Sequence, residues 1–285
     1  MITVTGATGH LGRLVIEDLL ARGVAAGDIV AAVRTPDKAG DLADRGVIVR
    51  EADYTRPETL TTAFAGTDRL LLVSSDDIGL RVQQHLNAID AAAKAGVRLV
   101  AYTSLLRADT SGMILAAEHV ATEQALAESG LPHTLLRNGW YVENYTSMLS
   151  IALEHGALVR STGQGRISGT ARADYAGAAA AVLTGEGHAG AVYELAGDTA
   201  FTLTELATIV TDISGTTVTY QDLPPEQFAA MLVGVGVPDG IAKALADSDL
   251  AVKRGALYSD STDLTRLLGR PTTTPTEVVR AALAS

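Results

Sequence analysis

The 285-residue chain has no cysteine. That removes disulfides, thiolate zinc sites, iron–sulfur clusters and thiol catalysis together. Lysine is scarce: Lys38, Lys94, Lys243 and Lys253 are the only ones, and none falls between 95 and 242. A formal charge of −11 argues against a protein whose main task is gripping nucleic acid, since that affinity rests on neutralising phosphates with Lys and Arg. No apolar run approaches the ~18 residues of a membrane helix. Strand-like residues begin at Met1–Ile2, so no leader peptide is expected and the cytoplasm is the expected location. The histidines (His10, His85, His119, His133, His155, His188) are scattered, without HxH or HExxH spacing, and read as surface or packed side chains. No metal is expected.

What is present starts at the first residues. Met1-Ile-Thr-Val-Thr runs into Gly6-Ala-Thr8-Gly9-His10-Leu11-Gly12, and Leu11, Leu14, Val15, Leu19 and Leu20 then recur at helical spacing. This is strand, tight turn, helix, with glycines at i, i+3 and i+6. Gly6 permits the sharp turn, Gly9 the close approach of a diphosphate, and Gly12 close packing of helix on sheet. The helix N-terminus turns free N–H groups and a positive dipole end toward the anion. A glycine-rich turn that binds nothing could carry the same glycines, but its place between strand and helix is what a dinucleotide site requires.

Apolar strands and helical segments then alternate. Strands are expected at 28–34, 47–50, 68–73, 98–103 and 133–137, and helices at about 10–22, 36–45, 55–64, 79–95 and 115–129. Thr55-Arg-Pro-Glu58 has the spacing of a capping box opening the third helix. Such alternation implies a parallel sheet covered on both faces. The fold class is therefore α/β, a Rossmann-type doubly wound parallel sheet with a smaller C-terminal α/β lobe. Residues 1–140 form the dinucleotide-binding domain, to which 174–195 return, and 141–285 mainly the smaller lobe. In that lobe a helix is expected over 141–155, a second capping box at Thr202–Glu205, and mostly helix over the last stretch.

The residue closing the second strand decides between the nicotinamide cofactors. Here it is Arg34, with no carboxylate within two residues. A guanidinium fork suits the 2′-phosphate of NADPH, although an exposed surface arginine is the plain alternative. Asp53 is placed to meet the adenine edge. Ligands of open parallel sheets lie outside the carboxyl ends of the strands. Those ends carry Ser74-Ser75, then Thr103-Ser104, then Arg137-Asn138-Gly139-Trp140-Tyr141. The hydroxyl residues suit a dinucleotide laid across the sheet, or serve as caps and turn formers. The last cluster, with the chain's one tryptophan and nearby Asn144, offers aromatic faces and amide donors to a flat ligand.

The runs VTGATGHLG, LLVSS, AYTS, LLRNGWYVEN and ARADYA, with Arg34 after the second strand, together resemble the NmrA-like group of atypical short-chain dehydrogenase/reductases, in particular its bacterial type 2 quinone-reductase branch. The resemblance covers essentially the whole chain. It implies NADPH as hydride donor, a quinone as acceptor and no flavin. By position, Gly6, Thr8, Gly9, His10, Leu11, Gly12 and Arg34 would hold the cofactor, with Ser74 and Ser75 near its middle. Asn138, Gly139, Trp140, Tyr141 and Asn144 would line the acceptor site.

One departure from the wider superfamily matters. No tyrosine has a lysine four residues on, so the Tyr-x-x-x-Lys acid is absent. Alcohol oxidation and epimerisation by that route are disfavoured. A quinone needs less help, because it is already electrophilic and orientation supplies most of the rate. Tyr141 or Asn138 would donate to the developing quinol oxygen. A non-catalytic dinucleotide sensor of the same family is the alternative. No nucleic acid or membrane partner is expected, and monomer and homodimer both remain open.

Overall fold

The computed structural model describes residues 1–284. Its strands are β1 (Ile2–Thr5), β2 (Ile29–Val33), β3 (Ile48–Glu51), β4 (Arg69–Leu72), β5 (Leu99–Leu105), β6 (His133–Asn138), β7 (Ala157–Arg160), β8 (Val192–Leu195) and β9 (Thr219–Asp222). Its α-helices are α1 (His10–Ala21), α2 (Gly40–Ala43), α3 (Pro57–Ala63), α4 (Arg81–Ala95), α5 (Ile114–Glu128), α6 (Glu143–Thr146), α7 (Leu149–His155), α8 (Arg172–Thr184), α9 (Leu203–Ser214), α10 (Pro225–Gly234), α11 (Asp239–Lys253), α12 (Asp263–Leu268) and α13 (Pro275–Ala284). They form two compact units. The first takes Met1–Leu105, Glu118–Asn138 and Ala173–Tyr193; the second takes Leu106–Ala117, Gly139–Arg172 and Glu194 onward.

In the first unit β3-β2-β1-β4-β5-β6 run side by side, followed by Val192 and Tyr193 at the start of β8. Every pair from β3 to β6 is parallel, Val4 standing between Ala31 and Leu71. β2 is buried along its whole length, and β4 from Leu70 to Leu72, which is why both read as unbroken apolar runs rather than alternations. Helix α1 buries Leu11, Val15, Ile16 and Leu19, one stripe at helical spacing, each fully buried aliphatic worth about 1.5–3 kcal/mol. The chain steps outward from β1 to β2 and β3, then returns to β4 on the other side of β1. That reversal opens a crevice beyond the strand ends, where such sheets take ligands.

The second unit is built on the parallel pair β7–β9, with Leu158 opposite Tyr220. The capping box of α9 forms as its spacing predicts. Glu205 N–H donates to Thr202 Oγ1 at 3.1 Å, and Thr202 N–H donates back to Glu205 Oε2 at 2.7 Å. Helices α10 and α11 close on Phe228, Leu232, Ala242 and Ala246. Among the described residues no helix is long and apolar enough to cross a membrane.

Three local expectations are corrected. Thr55 and Glu58 make no capping box: the N-cap position is Arg56, without a side-chain cap, and the Thr55 hydroxyl donates to Asp53 Oδ1 at 2.7 Å instead. A short Asx turn competes with the cap and wins. The helix expected over 36–45 opens as a 3₁₀ turn at Pro36–Ala39 before the single turn of α2. The helix expected over 141–155 is two helices, α6 and α7, separated at Ser147–Met148.

Candidate active site

The first unit holds a cavity of about 230 Å³ outside the ends of β1 to β4. Gly6, Thr8 and Gly9 line it after β1, Arg34, Thr35 and Lys38 after β2, Asp53 and Tyr54 after β3, and Ser75, Asp76 and Asp77 after β4, with Gln84 from α4. Gly6 takes φ +58°, a conformation that side chains resist. A Cβ on Gly12 would stand 2.5 Å from the Gly6 carbonyl oxygen, so only glycine lets α1 start this close under the turn. Gly9 is the N-cap and supplies no side-chain cap, which leaves the first N–H groups of α1 to an outside acceptor. The turn is a cradle that a side chain would fill, and it fits a diphosphate.

Arg34 and Lys38 both line the cavity, and neither forms an ion pair among the described residues. Two unneutralised cations in one crevice of a chain of charge −11 form a ready seat for an anionic group. Lys38 escaped the sequence reading because the 3₁₀ turn at Pro36–Ala39 carries it back toward Arg34's crevice; its rarity as a lysine was the available signal. Burial works against ionisation of Asp53, but the Thr55 hydroxyl at 2.7 Å, the Thr55 N–H at 2.9 Å and Arg56 outweigh it. Asp53 is held below the usual carboxylate range, and Oδ1 is fully engaged with Thr55. The Tyr54 hydroxyl lies 2.6 Å from Thr5 Oγ1 and 2.8 Å from the Val73 carbonyl, tying the ends of β1 and β4 together. Gln84 is buried, its Nε2 donating to Asp77 Oδ2 at 2.7 Å while Oε1 has no partner, an unsatisfied acceptor at the cavity's edge.

Other residues named from the sequence are placed differently. His10 opens α1 on the surface, and Leu11 is buried in its apolar stripe. Ser74 N–H donates to Thr103 Oγ1 at 2.8 Å, so Thr103 braces the β4 end instead of lining the cavity. Ser104 is buried and donates to Glu123 Oε1 at 2.5 Å. The same carboxylate takes Arg137 Nε at 3.0 Å and Nη2 at 2.7 Å, a buried network under the sheet end.

Asn138 closes β6 in the first unit, 5% exposed, and its Oδ1 has no partner. A buried unpaired amide oxygen costs about 1–3 kcal/mol. In the second unit Gly139 N–H donates to Leu195 O at 2.8 Å, and Tyr141 pairs in a short bridge with Thr170. The Arg172 guanidinium covers the Tyr141 ring at 4.8 Å, and Arg172 N–H donates to the Glu143 carboxylate at 2.9 and 3.1 Å. Trp140, Tyr141 and Asn144 are all partly exposed. A separate cavity of about 390 Å³ in this unit is lined mainly by apolar side chains, among them Met148, Leu158 and Leu232, together with Tyr145 and Arg160. Tyr145, one residue past Asn144, was missed because the expected helix over 141–155 gave no sign of which face it shows.

Compared with known proteins, residues 1–261 match the NmrA-like family. Quinone oxidoreductase 2 of Escherichia coli is 54% identical over 279 residues, 98% of this chain and 97% of that protein.

The chain belongs to the NmrA-like family.

The crystal structure of the NADPH-dependent quinone oxidoreductase of Escherichia coli complexed with NADPH superposes with a TM-score of 0.96 at 53% identity, covering all of both chains. Within the same group of folds, the Citrobacter sp. triphenylmethane reductase complexed with NADP(H) superposes with a TM-score of 0.94 at 40% identity, covering 99% of this chain and 100% of the other. The NmrA-like chain thus shares its Rossmann-type architecture with reductases solved with the same dinucleotide.

Proposed function

We propose that this NmrA-like protein is an NADPH-dependent reductase that passes hydride directly to a quinone, without a flavin. The observation that carries the reading is the 54% identity to a quinone oxidoreductase along 98% of the chain. The cavity geometry supports it. The Gly6–Gly12 turn would hold the diphosphate, Arg34 and Lys38 the 2′-phosphate, and Asp53 the adenine edge. Ser74 and Ser75 would lie near the middle of the cofactor. NADPH, when bound, supplies the hydride.

The chain's own part is orientation and a hydrogen bond. Asn138, Gly139, Trp140, Tyr141 and Asn144 are assigned to the acceptor. Asn138 brings a buried amide whose Nδ2 is a donor, its Oδ1 being an unsatisfied acceptor, and Tyr141 a phenol whose ring is covered by Arg172. Either can donate to the oxygen that gains charge as the ring is reduced, and holding the reactants in contact supplies most of the acceleration. The absent Tyr-x-x-x-Lys pair is no obstacle, since a quinol oxygen can take its proton from water.

The test is quinone-dependent loss of the reduced-nicotinamide absorbance, with purified protein, no added flavin and an NADH control. Oxidation that favours NADPH is expected. Tight NADPH binding without turnover on any quinone would sink the enzymatic reading in favour of a dinucleotide sensor.

A further inference from the structure

Beneath the cofactor cavity lies a group of buried side chains that the reading above does not use. His85, on α4, is wholly buried. Its Nε2 is 3.0 Å from the Ser75 backbone nitrogen and its Nδ1 2.9 Å from Thr122 Oγ1. The Thr122 hydroxyl donates its own proton to the Glu118 carbonyl at 2.9 Å, so toward His85 it can only accept. The imidazole therefore carries its proton on Nδ1 and offers the Nε2 lone pair to Ser75 N–H. On the other side of that residue, Arg81 Nε donates to the Ser75 carbonyl at 2.6 Å. Arg81 Nη1 pairs with Glu118 Oε2 at 3.2 Å, and Glu118 Oε1 accepts from Gly79 N–H at 2.9 Å. Tyr54 and Tyr102 stand edge-on to the imidazole, with ring centroids at 6.0 and 5.4 Å.

Both polar groups of the Ser75 backbone, and the far end of the loop at Gly79, are thus held by side chains of α4 and α5. Ser75, Asp76 and Asp77 form one wall of the cofactor cavity. We propose that His85 is a positioning residue for the cofactor: as a neutral Nδ1–H imidazole it fixes the Ser75–Asp77 wall in its binding form before NADPH arrives. The inference rests on the reading of this cavity as the NADPH site. A wall ordered in advance spares the binding step the cost of ordering it. Burial, and then the Arg81 charge, lower the His85 pKa to about 3, so the neutral form holds across the working range.

The test is NADPH affinity by calorimetry on the full chain, beside steady-state kinetics with a quinone. His85→Leu keeps an apolar side chain there but removes the acceptor; His85→Gln returns an acceptor near the Nε2 position. His85→Leu is expected to weaken NADPH binding about tenfold with kcat at saturating cofactor held within about twofold, the size of one lost hydrogen bond and a loosened loop. His85→Gln is expected to recover affinity to within about threefold of wild type. Thr122→Val, which takes away the partner of Nδ1–H, is expected to weaken binding as well, and it carries the test should His85→Leu not fold. Wild-type protein without NADPH affinity would remove the cavity reading itself. Wild-type protein that binds NADPH, with His85→Leu and Thr122→Val binding equally well, would overturn the positioning role alone. Failure of His85→Gln to recover affinity would also overturn it, since packing alone would then account for the loss.

Discussion

Arg160 and Asp249, 89 residues apart, form a two-pronged ion pair inside the second unit, with Nε–Oδ2 at 2.9 Å and Nη2–Oδ1 at 2.7 Å. Both are buried, and the guanidinium lies 5.1 Å from the ring centroids of both Tyr145 and Phe228. Asp249 Oδ2 also accepts from Ser161 N–H at 2.9 Å. The pair joins the end of β7 to α11, beside the apolar cavity.

Removing one partner strands a charge out of water. Asp249→Ala is expected to lose about 3–5 kcal/mol of unfolding free energy, whereas replacing both members with apolar side chains of similar volume should cost less. Urea denaturation of Asp249→Ala and of the double variant Arg160→Met/Asp249→Leu checks this. A single variant as stable as wild type would mean that Arg160 finds water once Asp249 is gone.

Acid should destabilise the fold through two histidines. His85 and His119 both have pKa values lowered to about 3, chiefly by burial, with Arg81 adding to the effect. The unfolded chain binds a proton on each below about pH 6.5, and the folded chain does not until about pH 3. Their stabilising contribution is therefore complete above about pH 6.5 and drains away as the pH falls through that window. The unfolding free energy from urea titrations between about pH 7.5 and 5.5 should fall with a slope approaching two protons, ahead of most carboxylate titration. A flat profile over that range would contradict the buried neutral assignment.

The sheet was legible because β2 and β4 are unbroken apolar runs, which no surface strand shows. The glycine turn after β1 was legible because Gly6, Gly9 and Gly12 answer separate steric demands. What was not legible depends on where distant residues meet. Lys38 reaches the cavity only because Pro36–Ala39 winds as a 3₁₀ turn. His85 read as one of several scattered histidines, since nothing in the sequence joins it to Ser75 and Thr122. The break between α6 and α7 was hidden because Tyr145 and Leu149, both buried, keep a helical spacing across it. Thr55 and Glu58 had the spacing of a cap, and only Asp53's competing carboxylate shows why it does not form.

Cofactor preference tests the two free cations. Arg34→Ala should bring the apparent NADPH affinity down to the level of NADH, and Lys38→Ala should act in the same direction by a smaller step. A charge-assisted contact of this kind is worth about 1.5–3 kcal/mol, roughly tenfold to hundredfold in KM for NADPH. NADH kinetics should hardly change, because its ribose carries no phosphate there. Equal loss for both cofactors would place Arg34 elsewhere in the site, or in the fold.

The acceptor assignment is tested at Asn138 and Tyr141. If one of them donates to the oxygen that gains charge, each single variant, Asn138→Ala or Tyr141→Phe, should lower kcat by a few-fold while the other or water substitutes. The double variant should then lose more than either, about a hundredfold where the bond forms only in the transition state. The change should fall on kcat with quinone and leave NADPH affinity intact, since neither residue lines the cavity beyond β1 to β4 that is proposed for the cofactor. Asn138→Ala also relieves a buried oxygen that has no partner in the structure, so it should not weaken the fold and could strengthen it. A variant that is more stable and slower would show that the Asn138 amide is kept for its Nδ2 donor despite the unpaired Oδ1. A double variant with full turnover would assign proton delivery to water alone, and leave the strand end of β6 a purely spatial role in holding the quinone.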